Sequence, residues 1–146
     1  MKLSIERSIL LKAVSQAQSV VERRNTIPIL ANVFIEAGTD HVKFRATDLD
    51  IEILDKVPAK IERSGATTVS AVTLHDIIRK LPDGALVTLF DDAAKGRLTV
   101  EAARSVFSLA TLPKEDFPIM ASSEYDTNFS ASTQLLRRLF DKTKFA

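Results

Sequence analysis

The feature that most constrains this chain is a change of hydrophobic period that occurs three times. A short run alternating with period two gives way at once to an apolar stripe with the period of a helix. The three openings read LSIERSILLKAV, TTVSAVTLHDII and FSASTQLLRRLF. In the first, Lys2 to Glu6 alternates as a strand, and Ile9, Leu10, Ala13, Val14, Ala17, Val20 and Val21 form one stripe of a helix over residues 7–21. In the second, residues 66–71 (ATTVSA) are a β-branched strand. A short helix follows over 72–81, with Leu74, Ile77, Ile78 and Leu81 on one stripe, stopped by Pro82-Asp83-Gly84. In the third, residues 127–131 (TNFSA) read as a strand and 132–142 as a helix turning Leu135, Leu136, Leu139 and Phe140 inward.

Each of the first two openings is followed by three strand candidates. These lie at 30–36, 41–47 and 51–57 in the first unit, and at 86–90, 97–101 and 105–112 in the second. Asn25-Thr26-Ile27-Pro28 links the first helix to its strands, and Ala37-Gly38-Thr39-Asp40 is a hairpin signal. Two copies of strand, helix and three strands can join sheets edge to edge with both helices on one face, which is a two-layer α+β domain of antiparallel sheet. Residues 1–118 are expected to form this domain and 119–126 a linker rich in acids and serine. The span 127–146 is expected to open a second domain whose strands do not follow, leaving its helix without the sheet it should cover and the segment disordered, swapped or propped on a neighbour.

The chain has 146 residues, 45% hydrophobic and 27% charged, as a soluble globular protein has. With no cysteine it has neither disulfides nor thiolate metal sites. Charge enters too early in MKLSIERSILLKAV for a secretory signal, and no apolar run reaches the length a bilayer needs. The expected location is cytoplasmic, with no membrane partner. Twenty Lys and Arg stand against nineteen Asp and Glu, a net charge of +1. That balance does not predict a protein that grips DNA by neutralising many phosphates; any DNA contact must use cations sorted onto one surface.

Candidates for catalysis are few. His41 sits beside a hairpin turn, and His75 precedes Asp76 on a helix, where neighbours diverge by about 100° and make no dyad. Asp48, Asp50 and Glu52 alternate as if along a strand, but nothing completes a metal site around them. The four glycines are scattered and build no phosphate loop. The helices carry more information. Lys12 and Arg23 lie on the polar side of the first, with Arg7 at its edge and Arg24 just beyond its end, Arg79 and Lys80 close the second, and Arg137, Arg138 and Lys142 ride on the third, against only Glu22, Asp76 and Asp141. These cations either answer the negative ends of helix dipoles or form one basic surface across several helices.

Particular segments resemble a known family. Thr26-Ile27-Pro28-Ile29-Leu30-Ala31-Asn32, Thr47-Asp48-Leu49-Asp50-Ile51-Glu52 and Gly65-Ala66-Thr67-Thr68-Val69 are similar, in order and spacing, to segments of bacterial sliding clamps, the β subunit of DNA polymerase III. So is Phe107-Ser108-Leu109-Ala110-Thr111-Leu112-Pro113, followed by Asp116-Phe117-Pro118. The resemblance implies a DNA-clamp fold. It implies a subunit of three similar domains, two of which close head to tail into a ring around duplex DNA, with helices lining the hole. The ring tethers the replicative polymerase, performs no chemistry and needs no cofactor or metal. Carried over by position, Arg24, Lys12 and Arg79 are DNA contacts, with Lys80, Arg23, Arg137 and Arg138 as further candidates. Ile77, Arg97, Arg104, Phe107 and Leu109 fall on the face that meets the partner subunit. Val72 and Val106 stand where some clamps place arginines. Polymerase and clamp-loader peptides are expected to bind only beyond this span, so the span alone is expected neither to close a ring nor to hold them; a fragment, a proteolytic remnant and a broken reading frame all fit. Two other readings remain: an interaction module pairing through the 107–109 strand, and a small enzyme using His75, Asp76 and the Asp48–Glu52 carboxylates.

Overall fold

The computed structural model describes residues 1–21, 26–119, 127 and 129–144. Strand β1 (Lys2–Glu6) runs straight into helix α1 (Arg7–Val20), and a 3-10 turn (Pro28–Ala31) leads to β2 (Asn32–Ala37), β3 (His41–Thr47) and β4 (Glu52–Pro58). After β5 (Lys60–Arg63) the pattern repeats as β6 (Gly65–Ser70), α2 (Ala71–Lys80), β7 (Leu86–Asp92), β8 (Arg97–Ala102) and β9 (Ser105–Leu112). Helix α3 (Thr133–Thr143) stands last.

The two half-units are interleaved, which corrects the edge-to-edge expectation. Strand order is β4-β3-β2-β6-β9-β8-β7-β1-β5, with every pairing antiparallel. The opening strand of each unit pairs with the first post-helix strand of the other: β1 lies on β7 (Leu3 opposite Leu89) and β6 on β2 (Val69 opposite Val33). Leu3, Ile5 and Val69 are buried in the core, and the exchange leaves each opening strand paired on both edges, β1 between β5 and β7 and β6 between β2 and β9, which satisfies its buried backbone N–H and C=O groups. The order begins on β4 and ends on β5, which Ala59 alone separates, so the sheet returns on itself. Strand β9 makes the matching bridge: Ser105 to Ala110 pairs with β8, whereas Thr111 and Leu112 reach β6.

Both helices pack on the inner face, side by side. Leu10, Ala13, Val14 and Ala17 of α1 meet Leu74 and Ile78 of α2 above Val33, Ile35, Phe44, Leu89, Leu98 and Val100 in one core. Ser70 caps α2, its hydroxyl accepting from the Thr73 amide at 3.3 Å. A smaller cluster of Ile29, Leu30, Phe34 and Phe117 forms separately, where the 3-10 turn and the segment after β9 cover Phe34. Phe34 and Phe117 are tilted rings 5.4 Å apart.

Three expectations fail. The strand expected at 127–131 is absent among its described residues, Thr127 and Phe129 to Ala131, because they have no partner strand. Helix α3 forms, but Leu135, Leu139 and Phe140 are exposed and Leu136 only half-buried. Asp48 and Asp50 lie in a turn, not a strand. The Asp48 carboxylate accepts from the amides of Asp50 (3.0 Å) and Ile51 (2.7 Å), and Leu49 takes φ 83° to close it. Glu52, the first residue of β4, pairs with Arg45 at 3.2 Å.

Candidate nucleic-acid interface

Sequence order on the two helices decides which side chains reach solvent. With Leu10, Val14 and Ala17 buried, Lys12 is carried to the opposite side of α1 and is exposed there. It lines a groove of about 590 Å³ shared with Ser8, Ile9 and Gln16 of its own helix and with Asp55 and Lys56 of β4. On α2, burial of Leu74 and Ile78 exposes Arg79 and Lys80 in the last turn, where cations are favoured by the dipole. Arg79 is 61% exposed and lies 3.4 Å from Asp76, an i,i+3 pair that leaves the guanidinium free to exchange partners. Asp76 stands three residues before Arg79 on the same helix, and that spacing is what signals the pairing.

Arg7 is different. It is mostly buried, and its guanidinium is committed to α2: Nε donates to the Ile78 carbonyl (3.1 Å), Nη2 to the Arg79 carbonyl (2.9 Å), and Nη1 pairs with Asp83. It is therefore not one of the solvent-facing cations, a correction that needed knowledge of a partner more than seventy positions away. Arg23 and Arg24 lie outside the described residues. Arg137 and Arg138 are exposed on α3, which has no fully buried side chain; Arg137 approaches Asp141 at 4.0 Å.

A second surface lies on the far flank of α2. Val72, Thr73, Asp76, Ile77 and Lys80 face Ser105 and Phe107 of β9 across a groove of about 320 Å³. Phe107 and Leu109 are half-buried against the core, on the helix side of the sheet. Arg97 stands on the other side, its Nε donating to the Ser108 hydroxyl (2.6 Å) and Nη2 to the Ser108 carbonyl (3.1 Å). Arg104 is exposed in the turn between β8 and β9. From Ser105 to Ala110, β9 has a paired strand on one side only. Of the five residues, Ile77 and Phe107 line the groove, Leu109 shares the free-edged strand, Arg97 bonds that strand from its other face and Arg104 stands in the turn before it, with Val106 exposed.

The titratable groups offer little chemistry. His75 Nδ1 is buried without a hydrogen-bond partner and lies 3.7 Å from Asp76, too far for a dyad. His41 Nδ1 meets Asp40 at 2.6 Å, and this contact holds the Asp40 carboxyl below its usual range. Among the described residues no group of three His, Asp or Glu is placed to hold a metal ion, and no helix is long and apolar enough to cross a membrane.

Comparison with known proteins agrees with this architecture. Residues 1–121 match the family model of the DNA polymerase III beta subunit, N-terminal domain. The beta sliding clamp of Caulobacter vibrioides is 51% identical over 146 residues, all of this chain and 39% of the relative; that of Pseudomonas aeruginosa is 38% identical, over all of this chain and 40% of its own length. Among solved structures, Caulobacter crescentus pol III beta superposes with TM-score 0.95 at 51% identity, and a sliding clamp from Bartonella birtlesii with TM-score 0.94 at 41%. Each match covers the whole chain and about two-fifths of the other protein, 40% and 39% respectively, so the chain spans about 40% of the length of these relatives. With an N-terminal-domain model matched over most of its length and the fold reproduced, the chain belongs to the DNA polymerase III beta subunit family, the sliding clamps.

Proposed function

We propose that this chain is the N-terminal part of a DNA sliding clamp, a processivity factor that encircles duplex DNA and tethers the replicative polymerase. The observation that carries the reading is the segregation of α1 and α2 onto one face of a self-closing sheet, with Lys12, Arg79 and Lys80 exposed on a protein of net charge +1. A clamp must hold DNA without reading bases or gripping phosphates. A few exposed cations give weak, salt-dependent, sequence-blind contact, and topology supplies persistence.

In this reading Arg23, Arg24, Arg137 and Arg138 add to the DNA-facing set. Ile77, Arg97, Arg104, Phe107 and Leu109 form the face that meets a second subunit head to tail, β9 pairing across the joint by strand addition. Residues 1–118 are the first clamp domain, 119–126 the linker and 127–146 the opening of the second. Polymerase and clamp-loader subunits are partners of the longer protein, which acts in the cytoplasm without catalysis or cofactor.

The test is topological. The protein carrying this chain, loaded onto nicked circular DNA, is retained, and a single cut in the circle releases it. Equal retention on linear DNA with free ends overturns the proposal. The one-sided pairing of Ser105 to Ala110 supports a second reading, a module that caps other clamp subunits. It predicts that the 146-residue chain shifts the sedimentation of intact subunits, and an unshifted boundary rejects it.

A further inference from the structure

We infer that Arg7 is a positioning residue for the DNA-facing surface: it clasps the start of α1 to the end of α2 and so sets where Arg79 and Lys80 point. The inference rests on the reading of these helices as the DNA side.

The geometry is specific. A guanidinium is a planar fork, and this one meets two consecutive carbonyls, Ile78 at 3.1 Å and Arg79 at 2.9 Å, while also pairing with Asp83. Ile78 O already accepts from the Leu81 amide at 3.2 Å, so Arg7 adds to the closing bond of the helix without replacing it. The Arg7 amide in turn donates to the Ala85 carbonyl at 2.9 Å, tying the same residue to the loop after α2 through its backbone. The clasp therefore holds the last turn of α2 and the loop following it against the first turn of α1. Arg79 and Lys80 are the residues of that last turn.

The electrostatic consequence has the same direction. The unsatisfied carbonyls at a helix C-terminus carry about half a negative charge. Left bare, that charge lies beneath the two cations that would face phosphate and weakens their field. Arg7 satisfies two of these carbonyls by hydrogen bonding while remaining mostly buried, with its formal charge balanced by Asp83, so it contributes without touching DNA. The device is one-sided. The position matching Arg7 in the second half-unit is Ala71, fully buried and without a side-chain donor.

The test uses the protein that carries this chain, with Arg7→Gln, Arg7→Lys, Asp83→Asn and Arg79→Ala. Two readouts are taken: hydrogen exchange of the amides from Ile78 to Ala85, and duplex-DNA affinity across a salt series. Arg7→Gln is expected to speed exchange about tenfold in that segment but not in β8. It lowers DNA affinity several-fold and leaves the slope of log affinity against log salt unchanged, because no phosphate contact is lost. Arg7→Lys does not rescue, since one ammonium cannot span both carbonyls and Asp83; Asp83→Asn is intermediate. Arg79→Ala reduces the slope by about 0.9. A slope that also falls by about 0.9 in Arg7→Gln makes Arg7 a direct phosphate contact and overturns the inference. Faster exchange with unchanged affinity makes it merely structural and overturns it too. If Arg79→Ala changes neither affinity nor slope, the reading of this face as DNA-facing fails, and the inference with it.

Discussion

Thr68 is the polar knot where the two halves of the sheet meet, and replacing it with valine isolates what that knot contributes. Its hydroxyl donates to the Leu112 carbonyl at 2.8 Å and accepts from the Leu112 amide at 3.3 Å and from Asn32 Nδ2 at 3.2 Å. Thr68 is fully buried and Asn32 is 6% exposed, whereas Leu112 is 38% exposed. Valine keeps the shape, so no cavity term arises. Water can replace the bonds lost at Leu112, but not the acceptor lost by Asn32. An orphaned buried donor costs about 1–3 kcal/mol, and the bonds to Leu112 add roughly 0.5 kcal/mol each after solvent replacement. The expected destabilisation is about 2–4 kcal/mol, a fall in melting temperature of roughly 10 °C for a domain of this size. Urea denaturation of Thr68→Val, Asn32→Leu and the double variant measures it. The double variant should be more stable than the sum of the singles predicts, because the second change removes the orphan. A cost below about 0.5 kcal/mol, or strict additivity, refutes the argument.

Replacing Phe107 with alanine, or Ile77 with aspartate, should weaken self-association of the protein carrying this chain by at least tenfold in sedimentation. The fold should persist, because both side chains are only half-buried. Gly65→Ala should destabilise by about 1–3 kcal/mol in a thermal melt: its φ of 147° is closed to alanine, and an added Cβ would sit 3.3 Å from Met1 Cβ. The Asp48 carboxyl is held below its ordinary value of 3.8, first by the Ile51 amide and also by that of Asp50. A depressed folded-state value contributes stability above pH ~3.8 that is lost as pH falls further. Asp48→Asn should therefore flatten the acid limb of the stability curve below pH ~4, and an unchanged limb would remove Asp48 from the account.

Much of the fold was legible because it depends on local period. The limits of β1, β3 and β9 follow alternation alone, and α1 and α2 follow stripes that end at buried residues. What escaped depends on partners distant in sequence. The four residues of β5, Lys-Ile-Glu-Arg, have little apolar content and exist as a strand because β1 pairs with them. The exchange of opening strands is invisible to a reading that takes each half-unit in turn. Asp48 and Asp50 alternate like strand residues, yet a carboxylate accepting two amides outweighs alternation and makes a turn. At the candidate site, Lys12, Arg79 and Lys80 could be placed from helix phase. Arg7 could not, because its commitment to α2 is set by tertiary packing. The third opening carries the same apolar stripe as the others, but with no sheet beneath it the stripe of α3 is exposed.

The most direct test of the central claim is retention on DNA as a function of DNA topology. Loaded onto circular duplex DNA, the protein carrying this chain should remain through high-salt washing and leave within the time of a single restriction cut. Loss in high salt from the intact circle, or retention after linearisation, would mean that charge and not encirclement holds it, and would contradict the account.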